Sequence, residues 1–245
     1  MARFDYVLPA TMVVTGAASG IGRAVALEAA AQGIAVVALD VDRAGAASVA
    51  EECEAQGVQA NAYTVDVSRE QDVAAVFRDV ADESGDVTHL VNNAAPRSAE
   101  RLPFDEGVAK TLCSVETVTT AALARWRESL TAVVNVASIS GTSVGGNVAW
   151  YEAAKSGVAS YTRYLAVAHA GRPRAKAVAP GFVDTPRAQR LFEHELGQEW
   201  LSRVPLGRAG TAAEVASAVV FLASPAASYV NGATLVVDGA LSLRL

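Results

Sequence analysis

Thr11-Met12-Val13-Val14-Thr15-Gly16-Ala17-Ala18-Ser19-Gly20-Ile21-Gly22 is the stretch on which the fold turns. Strand-forming residues (Thr11–Thr15) run into three closely spaced glycines and then into an alanine-rich helical pattern near 20–32. Glycines at such a junction let the backbone approach a phosphate closely, and the start of the helix presents free amides with a partial positive charge. A plain tight turn would also use glycine. The strand before and the helix after favour a dinucleotide pyrophosphate site.

The same alternation continues outward to both ends. Short apolar runs at Thr11–Thr15, Ala35–Leu39, Gln59–Val65, His89–Asn92, Ala132–Ala137, Ala175–Ala179 and Thr234–Val237 read as strands. Helical patterns lie between them near 20–32, 43–56, 69–84, 105–129, 151–170 and 211–223. Strands that are apolar on both faces need helices on both faces, which means a parallel sheet. Right-handed crossovers then predict a three-layer, doubly wound α/β fold of about seven strands, with its crevice at the carboxyl ends of the strands. No composition shift or repeat marks a second unit, so 1–245 reads as one domain. The polar stretch Asp184–Arg208, with Trp200, is too long for a simple connection and reads as a substrate lid.

Several residues fall on the crevice edge. Asp40 ends the second strand, 24 residues after Gly16, where a carboxylate can accept from a ribose hydroxyl and repel a 2′-phosphate. It could instead cap the next helix, as Asp42 could. Neither Ser19 nor Val41 offers a cation to a 2′-phosphate, although Arg43 is close, so NAD is favoured over NADP. Asp66-Val67 after the third strand could meet the adenine, with Asp66 or Ser68 as alternative caps. Asn92-Asn93-Ala94-Ala95 ends the fourth strand.

Chemistry enters with Tyr151 and Lys155, four residues apart on one helix face, and with Ser138 thirteen residues upstream just past the fifth strand. An ammonium beside a phenol favours the phenolate and lowers its pKa from near 10. A nearby hydroxyl can hydrogen-bond a carbonyl or alcohol oxygen. Together the three can move a proton on and off a carbinol oxygen, while a nicotinamide in the crevice would take or give the hydride.

Composition narrows the class. The 245 residues are 51% hydrophobic and 19% charged, with a net charge of −6, which argues against nucleic acid or an anionic membrane as partner. No run approaches the ~18 apolar residues of a membrane span, and the expectation is a cytoplasmic protein. Cys53 and Cys113 match no metal or redox spacing and read as buried thiols. His89, His169 and His194 show no metal or triad spacing, so metal independence is expected.

Taken in order, Thr15–Gly22, Asn92–Ala95, Ser138 with Tyr151 and Lys155, Pro180-Gly181 followed by Thr185, and Val237-Asp238-Gly239 resemble the motifs of the short-chain dehydrogenase/reductase family over nearly the whole chain. The resemblance implies a Rossmann-type domain, a nicotinamide cofactor and often a homotetramer. It implies Tyr151 as general acid/base, Ser138 orienting the substrate oxygen, and Lys155 holding the nicotinamide ribose. Gly16, Ser19, Gly20, Ile21, Gly22, Asp40, Asp66, Val67, Asn93, Ala94, Pro180, Gly181, Val183 and Thr185 would contact the cofactor. Two positions depart from the family pattern: the slot of a water-anchoring Asn falls on Ser114, and Lys176 stands where Asn is usual.

The activity this supports is an NAD-dependent interconversion of a secondary alcohol and a ketone. The alternatives are an NADP-dependent carbonyl reductase and a non-catalytic dinucleotide sensor of the same fold. Candidate pocket residues are Ser140, Trp150, Phe182 and Leu191, with Pro96, Arg97, Val144, Phe192 and Trp200; Trp150 could floor a ring-sized pocket. Arg97, Arg187 and Arg190 could meet an anionic substrate. Small residues in helices 105–129 and 151–170 (Ala121, Ala122, Ala124, Ala153, Ala154, Gly157, Ala159) permit close helix contact, the expected dimer seam of a homotetramer.

Overall fold

The computed structural model describes residues 4, 6–7, 9–98, 100–141, 148–169, 171–186, 188 and 194–244, the side chain of Leu196 excepted. Its strands are β1 (Thr11–Thr15), β2 (Ala35–Asp40), β3 (Ala60–Thr64), β4 (His89–Asn92), β5 (Ala132–Val136), β6 (Arg174–Pro180), β7 (Val183–Asp184), β8 (Gly210–Thr211) and β9 (Thr234–Val237). Seven of them form one parallel sheet in the order β3-β2-β1-β4-β5-β6-β9, and β7 pairs with β8 in a separate two-stranded ribbon. The direction of winding reverses between β1 and β4, which opens a crevice at their carboxyl ends.

The helices are α1 (Gly20–Ala31), α2 (Arg43–Glu54), α3 (Glu70–Ser84), α4 (Phe104–Val108), α5 (Ser114–Arg125), α6 (Ala149–Ala168), α7 (Glu195–Ser202) and α8 (Ala212–Ala223). One face of the sheet, through Met12, Val14, Val36, Ala38 and Val134, packs on α1, α2 and α8. The other, through Val13, Val37, Leu90 and Val133, packs on α3 and α5. Alternation along each strand sends its apolar side chains to both layers, as buried parallel strands require. The expected doubly wound three-layer sheet is what forms.

Two elements differ from the sequence expectation. The helix read over 105–129 is α4 and α5 joined by a π-helical turn, Ala109–Cys113, and it stops at Trp126. The extra residue in the π turn shifts the helical phase, so Thr111 and Ser114 face inward and Cys113 faces solvent. The expectation of a buried Cys113 is therefore wrong, whereas Cys53 is buried and its thiol is pushed up to about 11. Within 184–208, the amphipathic Glu195–Ser202 forms α7 rather than loop, with Trp200 stacked on Phe182 at 6.0 Å.

A polar ladder crosses the sheet on the α5–α6 side. Asn92 and Asn135 lie in register on β4 and β5. The Asn92 amide donates to Asn135 Oδ1 and to Thr119 of α5, each at 2.9 Å; Asn135 in turn donates to Thr162 of α6 at 2.9 Å. Buried amides need such partners, and these bonds tie both helices to the strands below the crevice.

Candidate active site

The glycine turn is built from the strand upward. Gly16 (φ +66) and Gly20 (φ +58) occupy the left-handed region that favours glycine. A Cβ at Gly22 would stand 2.0 Å from the Gly16 carbonyl oxygen. Asn93 braces the turn: its amide donates to the Thr15 and Gly16 carbonyls at 3.0 and 3.1 Å. The backbone amides of Asn93 and Ala94 both donate to Thr15 Oγ1. Ser19 precedes α1 in extended conformation and its side chain makes no capping bond, leaving the hydroxyl beside the first helical amides. Gly20 also lies against Thr185, where a Cβ would meet its Cγ2 at 3.5 Å.

Asp40 and Asp42 divide the roles left open between them. Asp42 caps α2 by accepting from the Gly45 amide at 3.1 Å. Asp40 instead accepts from the Ala18 amide at 2.9 Å and the Asp42 amide at 3.0 Å. It thus ties the glycine turn to the end of β2 and keeps lone pairs for further donors. Of the neighbouring cations, Arg23 is ion-paired with Glu52 and Arg43 is exposed. Asp66 accepts from the Ser68 amide and hydroxyl, at 3.0 and 2.6 Å. Burial pushes its carboxyl up, but these bonds and Arg69 outweigh it and hold it below the usual range. Val67 follows it, packed against the α3–α5 core.

Ser138 lies just past β5, and its Oγ accepts from the Ser140 amide at 3.2 Å. Tyr151 and Lys155 stand one turn apart on α6, with the Lys155 Nζ 5.8 Å from the Tyr151 ring centroid. Burial alone pushes the Lys155 ammonium down to about 8, and its Nζ donates to the Val136 carbonyl at 2.7 Å. Gly141 fits closely against this helix, since a Cβ there would be 2.6 Å from the Lys155 carbonyl carbon. The turn that carries Ser138 is thereby held on the helix that carries Tyr151. Burial raises the Tyr151 phenol above its ordinary value, and the hydrogen bond with Ser138 offsets this in part. The expected lowering by Lys155 is not found: burial governs both groups and the ammonium is bonded to backbone.

At the far side of the crevice, Pro180 ends β6. The Gly181 amide donates to the Val237 carbonyl at 3.0 Å, and a Cβ on Gly181 would meet Asp238 at 2.7 Å. Val183 is buried on β7. Asp238 accepts from the Ala240 and Ser242 amides, closing the turn after β9.

The other candidate residues are placed as follows. Ser114 donates its hydroxyl to the Ala109 carbonyl at 3.2 Å. Among the buried side chains of the described residues, the hydroxyl that lacks a hydrogen-bond partner is that of Thr111, in the π turn. Trp150 floors no open pocket: it is 2% exposed, with its Nε1 donating to the Glu100 carbonyl at 3.1 Å. Ser140 is buried beneath Ser138, while Phe182 and Trp200 stack beside the Pro180 loop. Leu191, Val144, Phe192, Arg187 and Arg190 lie outside the described residues. No group of three His, Cys, Asp or Glu able to hold a metal occurs among the described residues. No helix among them is long and apolar enough to cross a membrane.

Lys176 is the largest surprise. It sits on β6 with 0% exposure and no hydrogen-bond partner among the described residues, and burial first, then Arg174, pushes it down to about 7. His89 nearby is pushed down to about 3 by burial, then by Arg174 and Lys176.

A seven-stranded parallel sheet with a braced glycine turn at its switch point defines a Rossmann-type α/β protein. Comparison with known proteins narrows the class. A family model described as enoyl-(acyl carrier protein) reductase matches residues 16–242. The 3-oxoacyl-[acyl-carrier-protein] reductase FabG of Pseudomonas aeruginosa is 36% identical over 241 residues, covering 94% of this chain and 96% of that protein. The cis-4-hydroxycyclohexanecarboxylate dehydrogenase of Sinomonas cyclohexanicum is 40% identical over 236 residues, covering 93% and 94%. The crystal structure of levodione reductase superposes with a TM-score of 0.89 at 31% identity, covering 96% of this chain and 98% of that one. The chain belongs to the short-chain dehydrogenase/reductase family. Members of this family are oxidoreductases that use nicotinamide dinucleotides.

Proposed function

We propose that the protein interconverts a secondary alcohol and a ketone with NAD, using Ser138, Tyr151 and Lys155. The observation that carries this reading is their meeting at one place. A Ser–Tyr hydroxyl pair stands over a buried lysine, on the strand edge that also bears the glycine turn. The relatives named as dehydrogenases or reductases of alcohols and ketones support the substrate class.

The nicotinamide, when bound, supplies the hydride acceptor or donor. Gly16, Ser19, Gly20, Ile21 and Gly22 would hold its pyrophosphate, Asp40 the adenosine ribose, and Asp66 and Val67 the adenine edge. Asn93, Ala94, Pro180, Gly181, Val183 and Thr185 would border the nicotinamide half. Ser138 would donate a hydrogen bond to the substrate oxygen. In oxidation the Tyr151 oxygen takes the hydroxyl proton as the C–H bond breaks, and in reduction it returns that proton to the carbonyl oxygen. Lys155, fixed from below by the Val136 carbonyl, would hold the nicotinamide ribose, while the Ser138 hydroxyl is the group that partly offsets the burial of the phenol. A carboxylate at Asp40, with Arg23 occupied by Glu52, supports NAD over NADP.

We further read 1–245 as one dinucleotide-binding domain with 184–208 as its lid. The free thiols Cys53 and Cys113 suit a reducing cytoplasm. The active unit would be a homotetramer: α6 carries Tyr164 at 64% and Val167 at 81% exposure, and edge strand β9 exposes Leu235 and Val236. A monomer mass by light scattering would refute that assembly.

The deciding test follows absorbance of the reduced nicotinamide with a panel of secondary alcohols and ketones, NAD and NADP, and the Tyr151→Phe variant. Turnover that Tyr151→Phe abolishes is expected. Cofactor binding without turnover on any substrate would leave the non-catalytic sensor as the reading.

A further inference from the structure

We propose that Trp150 is a positioning residue that locks the loop 93–103, which leads away from the glycine turn, to the helix bearing Tyr151. The inference rests on the reading of Tyr151 as the proton-transfer group. Three contacts converge on this indole. Its Nε1 donates to the Glu100 carbonyl at 3.1 Å, across 50 residues of chain. Its ring fills a notch at Gly107 of α4, where a Cβ would lie 2.3 Å from Cδ2. Its other neighbour is the Tyr151 ring, edge-on at 5.6 Å with an interplanar angle of 82°, a favoured aromatic geometry.

The loop held by this bond begins at Asn93, which braces the glycine turn. One side chain thus references the cofactor-side loop, the α4 wall and the catalytic phenol to one another. Without the indole N–H, the Glu100 carbonyl loses this long-range tie; the Glu100 amide donates to Arg97 and the Leu102 amide to Glu100, both local bonds. Gly107 is required for the same reason, because any side chain there would evict the ring. An indole so enclosed cannot line an open pocket, and it acts on substrate only through the loop and Tyr151.

The test uses the full chain carrying Trp150→Phe or, separately, Gly107→Ala. Trypsin reports the loop without reference to activity, since Arg97 and Arg101 are exposed on it. Trp150→Phe keeps a ring against Tyr151 but removes the donor. The expected result is cleavage at Arg97 or Arg101 about 5- to 10-fold faster, from the loss of one partly buried hydrogen bond. KM should rise by a similar factor with kcat changed less than twofold. Gly107→Ala leaves Trp150 in place chemically but displaces its ring. It should lower kcat about tenfold or more and move the Tyr151 limb of the pH profile downward, as burial of the phenol is eased.

Wild-type cleavage and wild-type KM in Trp150→Phe would overturn the proposal. So would a Gly107→Ala enzyme that loses only thermal stability, with kcat and pH profile intact. Faster cleavage in Trp150→Phe, with no turnover even in the wild type, would uphold the loop lock and sink the alcohol–ketone reading.

Discussion

Replacing Lys176 by Met should stabilise the protein, by an amount that depends on pH in a defined direction. The amine is fully buried on β6 with no hydrogen-bond partner, facing Arg174 and His89. Its pKa is about 7 in the folded chain against an ordinary 10.5. That gap of ~3.5 pH units, at ~1.36 kcal/mol per unit, sets a ceiling of ~5 kcal/mol on the penalty for charging it in place. The sign follows from proton counts. Between pH 7 and 10.5 the unfolded chain holds one more proton than the folded chain, so stability rises with pH. Below pH 7 the whole penalty is present, and above 10.5 none of it remains.

Methionine matches lysine in length and flexibility and carries no charge. Removing the amine should relieve ~4 kcal/mol of charging penalty at pH 7.5 but under ~1 kcal/mol at pH 10, each added to the ~1–3 kcal/mol of an unsatisfied buried amine that applies at both. Urea unfolding of both proteins at pH 7.5 and 10, at fixed ionic strength, measures the difference while the titrations they share cancel. Destabilisation at pH 7.5, or a difference that does not change with pH, would refute the reasoning. His89 adds an acid window: held neutral down to about pH 3, it should cost stability as pH falls from 6.5 toward 3. Loss of the Lys176 charge should make that acid limb shallower.

Asp40→Ser should weaken NAD and raise the NADP-to-NAD ratio of kcat/KM at least tenfold, since a repulsive carboxylate is removed from the ribose site; an unchanged ratio would assign Asp40 to bracing the turn alone. Gly22→Ala should abolish cofactor binding measured by calorimetry, because its Cβ would lie 2.0 Å from the Gly16 oxygen. Gly85→Ala meets nothing within 4 Å but strains a φ of +69°; it should cost about 1 kcal/mol in urea unfolding and leave binding untouched. Activity should survive a chelator, and loss that a divalent ion restores would refute metal independence.

What the sequence showed well was local. The glycine turn, the strand cores and the cap at Asp42 each depend on residues a few positions apart, so propensity and spacing suffice. The positions that misled depend on packing at long range. Cys113 was misplaced because a π turn leaves no mark in hydrophobic periodicity. Trp150 looked like a pocket floor because neither Gly107 nor Glu100 is recognisable as its partner until α4 lies on α6. The Tyr151 pKa was expected to fall because spacing reveals a neighbouring charge but not the burial that outweighs it. Lys176 and Asn135 did leave a signal, since each is a polar residue inside an apolar strand run. That signal marks a buried polar group without saying whether it is partnered.

Asn135 and Lys176 occupy adjacent strands and answer that question in opposite ways. Both ends of the Asn135 amide are bonded, its oxygen to Asn92 and its nitrogen to Thr162, so Asn135→Val should cost ~2–4 kcal/mol by leaving two buried groups short of a partner. The same change in polarity at Lys176 is expected to stabilise. The contrast follows from satisfaction rather than from burial, because both side chains are 0% exposed. Measured together by urea unfolding at pH 7.5, the two variants should move in opposite directions. If both destabilise, Lys176 has a partner in solution and its depressed pKa has another origin.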